Sequence, residues 1–132
     1  MVASLRRHRT LHGPWAAAEA RREVHDLAVA ALLAGSPVSA TAEADAMLVV
    51  SELVSNAVRH AGGDCSVDLT LRADGMDIDV SDHSREPPRP GSPGPYGEGG
   101  YGWGIVDRLT SELTVAHRPN GKTVHAHLDL PH

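Results

Sequence analysis

The sequence predicts a single α+β domain in which helices cover one face of an antiparallel-rich sheet. Two long stretches repeat apolar residues at helical spacing, four shorter ones alternate apolar with polar residues, and Asp-Gly and Asn-Gly steps join the latter in pairs. At 132 residues the chain is the size of one domain and buries roughly two thirds of its unfolded surface without staples. Apolar residues make up 41% and charged residues 22%, which fits a globular chain rather than a disordered one. With no Phe, two Trp and two Tyr, the core must be filled by Leu, Val, Ile and Ala.

From Pro14 to Leu33, Ala20, Val24, Leu27, Ala31 and Leu32 fall close to one helical stripe, and Gly35 is a natural stop. Ser39 or Thr41 can cap a second helix, in which Met47, Val50, Leu53 or Val54, Ala57 and Ala61 recur at helical spacing before Gly62 and Gly63. The period then changes to two. Cys65, Val67, Leu69 and Leu71 alternate with polar residues, Asp74-Gly75 turns the chain, and Met76, Ile78 and Val80 alternate again. The stretch 83–101 is rich in Pro, Gly and Ser and longer than a connection requires, which suits a lid. A short helix is expected from Trp103 to Thr110, then strands around Leu113–His117 and Thr123–Leu130 joined through Pro119-Asn120-Gly121. In the last strand Val124, Ala126, Leu128 and Leu130 face one way and Thr123, His125, His127 and Asp129 the other. Residues 1–13, with Arg6, Arg7 and Arg9, are expected as a flexible tail ahead of a single domain, 14–132.

The net charge of −5 argues against general nucleic-acid binding, which needs a positive surface. The one cysteine, Cys65, has no internal disulfide partner, and no apolar run reaches membrane-spanning length, so a cytoplasmic location with no membrane partner is expected. Nine histidines accompany a single cysteine without an HExxH or CxxC pattern, so solvated histidines are expected rather than a structural zinc site.

Glu52, Asn56 and His60 recur every four residues and form a polar row on the second helix, with Arg59 beside it. An Asn amide oxygen suits Mg2+, which takes oxygen ligands and bridges substrate phosphates, and a carboxylate one turn away suits a general base. The same spacing equally serves a solvated helix face. Asp82 stands where the alternating strand gives way to the long loop; it can accept a hydrogen bond from an exocyclic amine or simply cap the loop. The run Gly97 to Gly104, GEGGYGWG, lets backbone amides approach a phosphate, or is a plain surface loop. It matches neither the P-loop nor the dinucleotide fingerprint.

Taken together and in order, LVVSELVSNAVRHAGG, VSD at 80–82, GGYGWGIVDRL and GKTVHAHL resemble the GHKL ATPase superfamily, most closely its anti-sigma-factor serine/threonine kinase branch. The resemblance covers about residues 15–130. It implies a two-layer Bergerat sandwich, with a mixed, largely antiparallel sheet and helices on one face. It implies ATP and Mg2+ as cofactors, Glu52 as catalytic base, Asn56 as metal ligand, Asp82 as the adenine-reading carboxylate, Gly100, Gly102 and Gly104 on the phosphate side, and Thr123 supporting the adenine site through water. It implies as partners a sigma factor, a small anti-sigma-factor antagonist that receives the phosphate, and a second copy in a homodimer. Arg59 and His60 receive no fixed role. The wider family follows its Asp with glycines, as DxGxG, whereas this chain reads Asp82-His83-Ser84-Arg85-Glu86-Pro87-Pro88. The alternative function is a nucleotide-binding interaction module that transfers no phosphate. A histidine-kinase catalytic domain is not expected without a phospho-accepting helical hairpin, for which 132 residues leave no room.

Overall fold

Local signals delimit the two long helices. In the computed structural model, which describes residues 4–60, 63–84 and 98–130, α1 spans Ala16–Leu33 behind a single 3-10 turn at Gly13–Trp15. Gly35, at φ +84, ends it: its N–H bonds to Leu32 O at 3.1 Å and the Ser36 N–H to Ala31 O at 2.9 Å, the paired closure a left-handed glycine permits. Helix α2, Ala40–His60, starts where the Ser39 hydroxyl accepts the Ala42 N–H at 3.1 Å, which decides between the two expected caps. Ala20, Val24, Leu27 and Ala31 are buried as the stripe requires, whereas Leu32 is exposed near the helix end.

Five strands form one sheet: β1 Leu5–His12, β2 Asp64–Arg72, β3 Gly75–Asp82, β4 Glu112–Arg118 and β5 Gly121–Asp129, in the order β1-β2-β3-β5-β4. Every pairing is antiparallel. Between β3 and β4 runs α3, Glu98–Leu109, so that β4 lies on the far edge and its hairpin returns β5 to the side of β3. Val67, Leu69, Ile78, Val80, Val124 and Ala126 point from the sheet into the core, against α1 and α2, giving the two-layer sandwich. Of the expected lid, residues 85–97 lie outside the described residues.

The expected flexible tail is corrected: residues 5–12 are an edge strand, paired along its length with β2. Its inward positions are Leu5, Arg7, Arg9 and Leu11, so two of the four core-side residues are charged and the apolar alternation is hidden. Their partner is Glu23 of α1, 4% exposed, which accepts from Arg7 Nε at 2.6 Å and Arg9 Nη1 at 3.4 Å. The arginine stems cover α1 while their heads fasten it to the strand. Burial alone raises the Glu23 pKa, but the hydrogen bonds and charges of Arg7 and Arg9 outweigh it and hold the carboxyl below its usual value.

On the helix-free face, side chains pair across strands: His8 with Asp68 at 2.7 Å, His12 with Asp64 at 2.8 Å, His125 with Asp79 at 2.7 Å and His127 with Asp77 at 2.6 Å. His125 and His127 are thus carboxylate-bound rather than simply solvated. Asp77 also bonds Arg72. The hydrogen bond from Asp77 raises the His127 pKa against the opposing effect of burial, and the charges of Asp77, Asp74 and Asp129 add to it.

Two predictions follow from these charges. Glu23→Gln should lower stability by about 1–3 kcal/mol at pH 7, the range for a charge-assisted hydrogen bond. Because the folded pKa of Glu23 is lowered, its contribution is present above the unfolded value near 4.5 and lost as pH falls through the folded one, so the gap between the two proteins in urea unfolding should close in acid. For His127 the sign is reversed. Its contribution is complete below the ordinary value of 6.5 and lost as pH rises through the raised folded value, so the destabilisation caused by His127→Ala should shrink between pH 6 and pH 9; an unchanged gap contradicts the pairing.

Candidate functional site

Asp82 ends β3 on the same side as Met76, Ile78 and Val80, towards the helices, and is 2% exposed. Its cross-strand partner is Lys122 at the start of β5. The Lys122 ammonium lies 3.1 Å from Oδ1 and 3.0 Å from Oδ2, and the Ser84 N–H donates to Oδ1 at 2.8 Å. Both side chains are almost fully enclosed, at 1% and 3% exposure. A buried ion pair of this kind survives only if the geometry and the remaining hydrogen bonds compensate for lost hydration. Gly121 makes the approach possible. At φ +156, a Cβ there would lie 1.9 Å from the Asp82 carbonyl oxygen. Asp82 therefore also closes the strand end, through the Ser84 N–H, as the loop-capping reading expects.

Thr123 follows the opposite parity. Its hydroxyl lies 2.8 Å from Ser81 Oγ on the helix-free face, away from the Asp82 carboxylate. The residue that β5 turns towards Asp82 is Lys122, which the sequence reading did not single out. The signal was present: with Val124, Ala126 and Leu128 facing the core, strict alternation puts Lys122 there and Thr123 outside. The structure thus brings Asp82 and Lys122 together and leaves Thr123 apart.

On α2, Glu52 and Asn56 are half-buried, flanked by the buried Leu53, Val54 and Ala57, and Arg59 is exposed. Neither Glu52 nor Asn56 spends its side chain on a hydrogen bond or ion pair with another described residue. The helix packs on β3, the strand that ends in Asp82, and on α3, which carries the glycine segment.

The glycine run is more helical than expected: α3 begins at Glu98, five residues before Trp103, and encloses Gly100, Gly102 and Gly104. Each helical glycine costs about 1 kcal/mol relative to alanine, and packing of Trp103 and Val106 against the core offsets that cost. The placement moves the open donors. The amides of Gly102 and Gly104 fall within the helical ladder, whereas those of Glu98, Gly99 and Gly100 in the first turn have no intrahelical partner, the arrangement that suits an anion. A Cβ on Gly104 would meet nothing within 4 Å, so the surface above it is open.

A cavity of about 550 Å3 reaches Asp82 from elsewhere, lined by Thr10, His12, Asp64, Ser66, Ser81 and Arg118 among others. It includes neither Glu52, Asn56 nor Gly104, and most of its lining belongs to the helix-free face, so it is a different surface from the α2–β3–α3 side. Cys65, which pairs with Asp82 across β2 and β3, carries a thiol pushed up to about 11 by burial and then by the charges of Asp82 and Asp64; it stays protonated and is no nucleophile. Among the described residues no three His, Cys, Asp or Glu side chains gather to hold a metal.

The structure resembles the RsbU and RsbW domains of Rv1364c from Mycobacterium tuberculosis, with a TM-score of 0.67 at 23% identity over 96% of this chain and 32% of that one. It also resembles the histidine kinase domain of the blue-light activated histidine kinase EL346 from Erythrobacter litoralis, with a TM-score of 0.56 at 21% identity over 83% of this chain and 60% of that one. The chain therefore spans about a third of the first and three fifths of the second, and these likenesses establish the fold. No curated protein sequence matches it significantly. The family profile of the histidine kinase-like ATPase domain matches residues 15–128, which takes in α1, the polar row, Asp82, α3 and Lys122, and the chain belongs to that family.

Proposed function

We propose that this domain binds ATP with Mg2+ and acts as an anti-sigma-factor-like serine/threonine protein kinase, phosphorylating a small antagonist protein and sequestering a sigma factor. The observation that carries the reading is the pairing of an enclosed acceptor, Asp82, with an uncommitted polar row, Glu52 and Asn56, on the helix packed against the same strand. Asp82 accepts the amine of the base. The α3 amides take the phosphates. Asn56 supplies an oxygen ligand to a cation that arrives on the triphosphate, which suits Mg2+ because that ion keeps waters and substrate phosphates as its other ligands. Bound Mg2+ neutralises charge on the phosphate oxygens. Glu52, one turn away, accepts the proton from the attacking Ser or Thr hydroxyl. Membership of the ATPase family supports nucleotide binding, and likeness to a fold that includes an RsbW domain supports the anti-sigma branch. The sigma factor, the antagonist and a homodimer are proposed from that branch.

Binding and transfer separate cleanly in two variants. Asn56→Ala should weaken ATP binding by at least about tenfold when Mg2+ is present and much less when it is absent, as titration calorimetry would read. Equal losses in both conditions contradict the metal role. Glu52→Ala should keep ATP affinity within a few-fold and lower transfer of labelled phosphate to an antagonist by about 10²–10⁴-fold. Wild-type protein that binds ATP yet labels no antagonist would favour the non-catalytic module instead.

A further inference from the structure

We propose that Lys122 is a positioning residue that holds Asp82 as a charged, acceptor-only carboxylate and so makes the site select a base bearing an exocyclic amine. The inference rests on the ATP-binding reading above and names what sets its base preference.

The argument begins with the lone pairs of Asp82. A carboxylate has about four acceptor positions. Lys122 engages one on each oxygen, at 3.1 and 3.0 Å, and the Ser84 N–H takes a second on Oδ1, at 2.8 Å. Among the described residues no other group takes the remaining position, on Oδ2. An amine N–H can fill it; a carbonyl oxygen in the same place would set lone pair against lone pair, and the site has no proton to offer. Selection by a buried polar group of this kind is strong because the wrong ligand leaves it unpaired.

Lys122 does not act by standing in the amine's place. Displacing it would leave an ammonium with 3% exposure and no counter-charge, exchanged for a neutral donor, and that exchange is uphill. The pair therefore persists with base bound. Its geometry is fixed from the backbone, since Gly121 lets β5 meet the Asp82 carbonyl and the register places Lys122 directly across from Asp82. The ionisable groups around Asp82 are Lys122 from β5, Cys65 from β2 with Asp64 next to it, the neighbouring His83, and His12 and Arg118 in the lining of the cavity that reaches Asp82; among the described residues, Lys122 is the one that forms an ion pair with it. Cys65 remains a neutral thiol, so the direct counter-charge comes from Lys122. Without that charge, a carboxyl so enclosed favours its protonated form and gains an O–H that can donate to a carbonyl.

The test compares ATP with inosine triphosphate, in which a carbonyl replaces the amine, in the presence of Mg2+ from pH 6 to pH 8. Both carry the same triphosphate, so the ratio of their affinities cancels its titration. Wild type should prefer ATP by at least about tenfold, with a ratio independent of pH. Lys122→Met should lose most of that preference at pH 6 and recover part of it as pH rises and Asp82 gives up its proton, whereas Lys122→Arg should retain it. Lys122→Gln keeps a hydrogen bond but no charge, and should show the same pH dependence if the Met variant does not fold. A folded Met or Gln variant with wild-type preference and a flat pH profile overturns the role of Lys122 and leaves ATP binding standing. Wild type that binds neither nucleotide overturns both.

Discussion

Where β5 enters the sheet, its backbone approaches the carbonyl of Asp82 so closely that only a residue without a side chain fits, and much of the site's arrangement follows from that contact. Gly121 permits the approach, and the next residue, Lys122, then faces Asp82 across the β3–β5 pairing. The alternation this fixes sends Thr123, His125 and His127 to the helix-free face and Val124, Ala126 and Leu128 into the core. A shift of one residue would reverse all of them, removing the counter-ion from Asp82 and turning histidines towards α2. The short turn at Pro119-Asn120 and the enclosed ion pair therefore act together as a register lock. Its two charges are costly to bury, and their value lies in excluding the alternative registers as much as in net stability.

The fold was legible wherever apolar periodicity was unbroken. Both long helices, the Asp74-Gly75 hairpin and the last hairpin stand close to where the pattern puts them, because burial of one face is what creates the pattern. β1 was not legible, since Arg7 and Arg9 occupy core-side positions and their partner, Glu23, is 16 and 14 residues away on a helix that meets them only in the folded protein. α3 began too late in the reading for a similar reason: glycine propensity is a local signal, and the packing of Trp103 and Val106 that overrides it is not. Glu52 and Asn56 could be placed on one helix face from spacing, but which β5 side chain meets Asp82 depends on strand parity and register.

The two faces of the sheet use charge differently. Towards the helices there are two enclosed clusters, Glu23 with Arg7 and Arg9, and Asp82 with Lys122, each with its carboxylate nearly inaccessible to water. On the other face carboxylates meet histidines in cross-strand pairs at partly exposed positions. Among the described residues, the enclosed clusters contain no histidine. On the open face, the hydrogen bond from Asp77 raises the pKa of His127, so that this pair responds to pH.

Separating recognition from chemistry is the remaining consequence. Asp82 and Lys122 are held by strand backbone and burial, which suits reading a rigid planar base. Glu52 and Asn56 stand half-buried on a helix surface without side-chain partners among the described residues, which suits groups whose ligands arrive with the nucleotide. The packing of α2 on β2 and β3 links them to the strands. On the proposed function, loss of the Lys122 charge should alter which base is preferred without removing the oxygen ligand proposed at Asn56, and loss of Glu52 should lower transfer without altering base preference. A site assembled as one hydrogen-bonded network would not divide in this way, because each deletion would disturb every other member. The division rests on Asp82 having its own counter-ion in Lys122, an ion pair in which neither Glu52 nor Asn56 takes part.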